Sequence, residues 1–316
     1  MTTAVPTAPP SPSSSPPHAV RPPWLSEALF PFESRFLSIE GHVVHYVDEG
    51  RGPLLLLLHG NPTWSFVWRH LIVALRDRFR CVALDLPGFG LSIAKDGYDH
   101  LPESHARVVA GFVRALELRA FTPVVQDWGG PIGLWVAGQM PERVRALVIG
   151  NTFAWPVDDD PHFVRFSSLM GGPIGGFAIR HFNAFVNVMI PMGTTKRRRL
   201  SREEMRAYRL PLSTPARREA SRIFPWAIVG STPFLRETER GLAVLRDKPA
   251  LLAWGTKDIA FREKERARFE ASFVRVTTTT LEGAGHYVQE DAPDEIARAI
   301  DRFFTDGAAR ATESAS

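Results

Sequence analysis

Cysteine is nearly absent from this sequence. Cys81, in FRCVALDL, is the single one among 316 residues, which excludes an intrachain disulfide framework and a thiolate zinc cluster. Its place inside an apolar strand pattern marks it as a buried, inert thiol. Tyrosine is scarce too: Tyr46, Tyr98, Tyr208 and Tyr287 complete the set. Long apolar runs are missing. PLLLLLHG (residues 53–60) falls far below the roughly 20 residues a membrane-spanning helix needs. The opening MTTAVPTAPPSPSSSPPHAVRPP carries Pro and Ser where a signal peptide needs an apolar core. A soluble, cytoplasmic protein without a membrane span is expected. Charge of one sign is also in short supply, since 38 basic residues against 34 acidic leave +4. With no groove-reading motif, that excess gives no reason to expect nucleic-acid binding. The run TKRRR, Thr195 to Arg199, reads as a solvated loop or helix end.

What the sequence has is strand–helix alternation. SRFLSIEGHVVHYVDEG reads as a hairpin turning at Glu40-Gly41. PLLLLLHG, RCVALDLPGFG, FTPVVQDW and VRALVIGN are apolar runs of the kind that strands buried on both faces leave. Between them, TWSFVWRHLIVALRDRF, SHARVVAGFVRALEL and GPIGLWVAGQM have helical spacing. After Asn151 the rhythm breaks into helical patterns rich in Phe, Met and Trp. It resumes at PALLAWG (249–255), with a further helix in FREKERARFEASF, a last strand in VRVTTTTLEGAGH and an amphipathic helix in PDEIARAIDRFF. The expectation is an α/β fold with a mostly parallel sheet flanked by helices and an inserted helical cap. The core spans 26–152 and 231–305, and the cap spans 153–230. Residues 1–25, rich in Pro and Ser, and 306–316 read as disordered tails.

Three side chains fall just past the ends of three expected strands: Asp127 after PVVQ, Asp258 after LLAWGTK and His286 after LEGAG. Alone, each has a bland reading, as a turn aspartate, a loop aspartate and a satisfied polar histidine. Their joint placement, in the order nucleophile, acid, histidine, is that of α/β-hydrolases. The turn HGNPTW, residues 59–64, sets a backbone N–H of Asn61 opposite that of Trp128, which makes an oxyanion hole. His59 reads as a brace for that turn.

A serine at the elbow would need histidine as its base. Aspartate, with a reference pKa of about 3.9, is already ionised near neutrality and can attack an electrophilic carbon directly. An ester on Asp127 follows, which water activated by His286 then cleaves, with Asp258 orienting the imidazole. An alkoxide leaving group calls for a proton donor, commonly a pair of cap tyrosines, and the cap interval holds only Tyr208. A halide needs only hydrogen-bond donors. The Asn61 amide and the Trp128 indole supply two neutral ones.

HGNPTWSF, DLPGFGLS, QDWGGPIG, WGTKDIAF and GAGHYVQEDAP together resemble the haloalkane dehalogenases of the α/β-hydrolase fold, over about Pro31 to Phe304. The resemblance implies an eight-stranded, mostly parallel sheet with Asp127 as nucleophile, His286 as base, Asp258 as acid, and Asn61 and Trp128 as halide ligands. It implies no cofactor and no metal, a small apolar haloalkane and water as substrates, and halide as a product. Asn151 stands where one group of the family places a glutamate acid, and Asn61 argues against another. The combination resembles the third subfamily, whose members tend to form large oligomers, so a homo-oligomer stays open. Rivals are a β-lactone decarboxylase of olefin biosynthesis, which keeps the same five residues, and less so an epoxide hydrolase. A fluoroacetate dehalogenase would carry arginine at position 128. A non-catalytic scaffold would have a broken triad. Of Phe153, Trp155, Phe163, Phe166, Met170, Phe177, Phe182, Phe185 and Met189 in the cap, most read as ordinary helix core and only a few are expected to line the pocket, but their number favours an apolar substrate.

Overall fold

The computed structural model describes residues 21–195 and 197–307. Its strands are β1 (Arg35–Ile39), β2 (His42–Glu49), β3 (Leu54–Leu58), β4 (Arg80–Leu84), β5 (Thr122–Val125), β6 (Leu147–Gly150), β7 (Ala250–Gly255) and β8 (Val276–Leu281). They form one sheet in the order β1-β2-β4-β3-β5-β6-β7-β8. β1 and β2 pair antiparallel, β2 also runs antiparallel to β4, and every other pairing is parallel. The hairpin turns at Glu40 and Gly41, with φ of 51° and 87°, the left-handed pair that a two-residue turn of matching twist requires.

The five leucines of β3 are all buried, as are β5, β6 and β7 along their whole length. Burial on both faces explains the unbroken apolar runs. Each such leucine contributes roughly 1.5–3 kcal/mol relative to exposure. Six helices cover the two faces: α1 (Arg69–Leu75), α2 (Pro102–Ala115), α3 (Gly129–Gln139), α9 (Thr232–Leu245), α10 (Glu263–Ser272) and α12 (Pro293–Thr305). Short α11 (Val288–Asp291) continues the loop that carries His286.

The insertion between β6 and β7 holds α4 (Pro161–Gly171), α5 (Pro173–Phe182), α6 (Ile190–Gly193), α7 (Arg202–Arg209) and α8 (Glu219–Gly230). Asp160 caps α4 by accepting from the His162 N–H at 3.0 Å. Ser201 and Glu204 close a reciprocal capping box on α7. α9 leaves the insertion and packs along α3.

The packed chain begins earlier than its composition suggests. Residues 1–20 and 308–316, most of the expected tails, lie outside the described residues, but Arg21 to Leu25 do not. The Arg21 guanidinium donates to the carbonyls of Leu25, Ser26, Phe30 and Phe32, and Leu25 is buried. One arginine gathering four carbonyls holds this segment against the core. The basic run is not simply solvated either. Arg197 pairs with Glu295 and donates to the Glu282 carbonyl, while Arg198 pairs with Glu204 and Glu290. Arg69, buried on α1, donates to the same two carboxylates, and Tyr208 donates its hydroxyl to Glu290. His70, Glu204 and Glu290 have the spacing of a metal-ligand group, but two guanidiniums already occupy those carboxylates. The cluster pins cap helix α7 to α1 and α11.

Four histidines away from the triad have their basicity lowered, first by burial: His42, His59, His100 and His105. The folded chain resists protonating them, while the unfolded chain takes up their protons near pH 6.5. Stability is therefore full above that pH and falls as pH drops below it. For fully buried His59 and His105 the slope is about 1.4 kcal/mol per pH unit each, while both stay neutral. His286, whose pKa is raised, opposes the trend in part. Urea midpoints should decrease from pH 7 to pH 5; a flat or rising profile contradicts this account of the buried imidazoles.

Candidate active site

The site stands at the carboxyl edge of the sheet, under the cap. β5 runs into Gln126 and then Asp127, which has φ of 50°. A non-glycine residue in that region is strained by about 1–3 kcal/mol. The turn exists because α3 starts at once and packs hard against β3. A Cβ at Gly129 would lie 2.1 Å from the Leu58 carbonyl oxygen. The Asp127 N–H donates to the Asn151 carbonyl at 2.9 Å, and the Thr152 hydroxyl donates to the Asp127 carbonyl. Asn151 also bridges to Gly255 on β7 through both ends of its amide. The elbow is thus braced from β6.

The Asp127 carboxylate faces two directions. Oδ1 accepts the Asn61 backbone N–H at 2.7 Å, and the neighbouring Trp128 backbone N–H also favours the ionised carboxylate. Oδ2 lies 3.7 Å from His286 Nε2. On the far side of the ring, His286 Nδ1 is 3.0 Å from Asp258 Oδ2, and Asp258 Oδ1 accepts from the Ala260 N–H at 2.7 Å. The five residues singled out from the sequence therefore converge. Asn61 and Trp128 both line the cavity in front of Asp127. His59, the expected brace, bridges the Gly60 carbonyl and the Leu86 N–H.

Burial raises the Asp127 pKa, and the nearby imidazole and the two backbone N–H groups pull it back only in part. For His286, burial alone lowers the pKa, but the charge and hydrogen bond of Asp258, with the charge of Asp127, leave it raised. Each group favours the ionised form of the other. An ester on Asp127 removes one of the two negative charges beside the ring, so the imidazole becomes easier to keep neutral when a base is needed.

Gln126 was passed over in the sequence. Its amide nitrogen lies 3.2 Å from His286 Nε2 and donates to the His286 carbonyl at 3.0 Å, while its oxygen accepts from Gln289 at 3.2 Å. An N–H donor facing Nε2 fits the tautomer that carries its proton on Nδ1, toward Asp258. The signal was present: an uncharged polar residue ending a strand buried on both faces needs a partner. Tyr287 was also passed over. It lines the cavity, whereas Tyr208 is locked to Glu290.

The cavity holds about 340 Å³. Phe163, Phe166, Phe185, Met189, Ile228 and Phe261 supply apolar wall, and polar atoms are few. Of the cap aromatics noted in the sequence, Phe177 and Phe182 belong neither to the cavity wall nor to the helix core, and are 57% and 67% exposed. Trp155 packs on Phe269 at 4.7 Å, away from the cavity wall.

The cap meets the His286 loop at Gly193. Its carbonyl accepts the N–H groups of His286 at 2.8 Å and Tyr287 at 3.3 Å. A Cβ there would come within 2.6 Å of the Tyr287 ring and 3.3 Å of the His286 Cβ. Gly193→Ala is therefore expected to displace the imidazole and lower kcat by about 10- to 100-fold, with the fold intact by circular dichroism. Unchanged kcat would contradict the contact.

Side chains held at strand ends in this order, above an apolar cavity, place the protein in the α/β-hydrolase class, and the alpha/beta hydrolase fold family matches residues 53–293. Haloalkane dehalogenase 2 of Mycobacterium tuberculosis is 46% identical over 278 residues, 87% of this chain and 96% of that protein. A solved ancestral haloalkane dehalogenase is similar with a TM-score of 0.79 and 30% identity, over 86% of this chain and 98% of its own. A cis-3-alkyl-4-alkyloxetan-2-one decarboxylase of Shewanella oneidensis is 32% identical over 92% of this chain and 93% of its own. The chain belongs to the haloalkane dehalogenase family of the α/β-hydrolase fold.

Proposed function

We propose that the protein hydrolyses carbon–halogen bonds of small apolar haloalkanes through an alkyl ester on Asp127. The carrying observation is the carboxylate at the elbow of an apolar cavity, with Oδ1 accepting the Asn61 backbone N–H and Oδ2 3.7 Å from His286 Nε2. In the first step an Asp127 oxygen attacks the halogen-bearing carbon. The C–O bond forms as the carbon–halogen bond breaks. Halide departs toward the Trp128 indole N–H and the Asn61 amide, neutral donors that suit a weakly basic anion. In the second step His286 Nε2 takes a proton from water as the water oxygen attacks Asp127 Cγ. Charge then develops on an Asp127 oxygen for which the backbone N–H groups of Asn61 and Trp128 would serve as the oxyanion hole, where preorganised donors act most strongly. Asp258 stabilises the imidazolium. As the adduct collapses, the departing alkoxide takes the proton from the His286 imidazolium and leaves as alcohol, and the Asp127 carboxyl then loses the other proton of water, so that haloalkane and water give alcohol, halide and a proton.

The decarboxylase similarity favours a second reading, cleavage of a β-lactone to olefin and carbon dioxide. It needs no different side chains. An epoxide opening has less support, because Tyr287 is the one tyrosine among the cavity residues and its hydroxyl is a weak acid. Burial, then the charges of Asp127 and Asp258, push its pKa well up. Purified protein with 1-bromobutane is expected to release bromide, and with a long-chain β-lactone to give little olefin. Olefin without halide release would reverse the assignment.

Among the described residues no helix is long and apolar enough to cross a membrane. A homo-oligomer and a cytoplasmic location belong to the same proposal. Exposed Leu169, Ile174, Phe177 and Phe182 on the cap support assembly. Light scattering that shows a monomer at micromolar concentration would remove the oligomer.

A further inference from the structure

Pro225 sits inside α8 and lines the cavity. In a helix the N–H of residue 225 would bond the carbonyl of residue 221, but proline has none. The Ser221 carbonyl is therefore left without its helical donor in a buried position, where an unmet acceptor is costly. The donor that fills the gap comes from outside the cap: Asn61 Nδ2, at 3.2 Å. The contact also settles the orientation of the Asn61 amide, because a flipped amide would set Oδ1 against another oxygen. Asn61 Oδ1 is sealed off and without a partner, an orientation kept despite that cost. Asn61 itself lines the cavity, so its N–H₂ edge rather than its oxygen serves an incoming anion.

We infer that Pro225 is a positioning residue for halide release: by withholding one helical N–H, it leaves the Ser221 carbonyl to Asn61 and so holds that amide with its donor edge toward the departing ion. The inference rests on the proposed role of Asn61 as a halide ligand. Restoring an N–H at position 225 closes the α8 hydrogen bond, frees the amide to flip, and lets Oδ1 face the anion.

The test uses Pro225→Val, which supplies the N–H at similar volume, and Pro225→Ala, which supplies it and enlarges the cavity. Sodium bromide is the probe, read by quenching of tryptophan fluorescence in the full-length protein, with folding followed by circular dichroism. Both variants should weaken bromide binding about 10-fold, the scale of one lost hydrogen bond to a charged group. They should also lower kcat for a bromoalkane more than they raise KM. In an Asn61→Ala background, itself weakened, neither proline substitution should weaken binding further. Equal additional losses in that background would show that Pro225 acts on cavity shape and overturn the inference, as would wild-type bromide affinity in both single variants. Unchanged affinity in Asn61→Ala alone would overturn it by a different route, by removing the halide role of Asn61. Should Pro225→Val not fold, Pro225→Ala carries the comparison.

Discussion

His286→Ala is expected to release one equivalent of halide per active site and then stop. The first displacement needs only the ionised carboxylate, and Asp127 Oδ1 keeps the Asn61 backbone donor in this variant. The second step loses its base, so ester hydrolysis should slow by about 10²- to 10⁴-fold. Intact-protein mass spectrometry should find the chain heavier by the alkyl group, with the adduct on the peptide that holds Asp127. The pH dependence follows from the same group. Ester hydrolysis requires neutral imidazole, and Asp258 favours the protonated ring, so wild-type kcat should rise with pH as the imidazolium loses its proton. A variant that turns over repeatedly, or halts without a burst, is incompatible with His286 acting only in the second step.

Asp127→Ala is expected to abolish both halide release and adduct formation. Removing a nucleophile that no neighbour can replace costs on the order of 10⁶-fold where measured in other hydrolases. Asp258 cannot substitute, since His286 and the Ala260 N–H occupy its carboxylate. Bromide binding should survive, because the Asn61 amide and Trp128 indole are untouched and a negative neighbour is gone. Residual turnover above background, with the protein folded, would place the nucleophile elsewhere.

Much of this was legible in the sequence, for identifiable reasons. Parallel strands covered on both faces leave uninterrupted apolar runs, and PLLLLLHG and PALLAWG became β3 and β7. The site residues follow strand ends, so their common edge was readable from strand order alone. Asp127 at an elbow pointed to displacement at a saturated carbon, and the single tyrosine of the cap interval, Tyr208, argued against an alkoxide leaving group. What the sequence hid depends on contacts between segments far apart along the chain. The Gly193 carbonyl, nearly a hundred positions before His286, fixes the base through its backbone and leaves no side-chain signature. Pro225 looked like a helix breaker in the cap rather than the reason a distant asparagine is oriented. The TKRRR run looked solvated because the partners of Arg197 and Arg198 come from α7 and from the segment after His286. Composition set the N-terminal boundary too late, because a single arginine can order a Pro-rich segment by collecting carbonyls.

The origin of the alcohol oxygen tests the account most directly. In a single turnover of 1-bromobutane in ¹⁸O-water, with enzyme in excess, the ester route delivers an oxygen of Asp127 to the product. The alcohol should then carry ¹⁶O, and the Asp127 peptide should gain the label. An alcohol labelled in that first turnover, with Asp127 unlabelled, would mean that water attacks the substrate itself and would contradict the covalent mechanism.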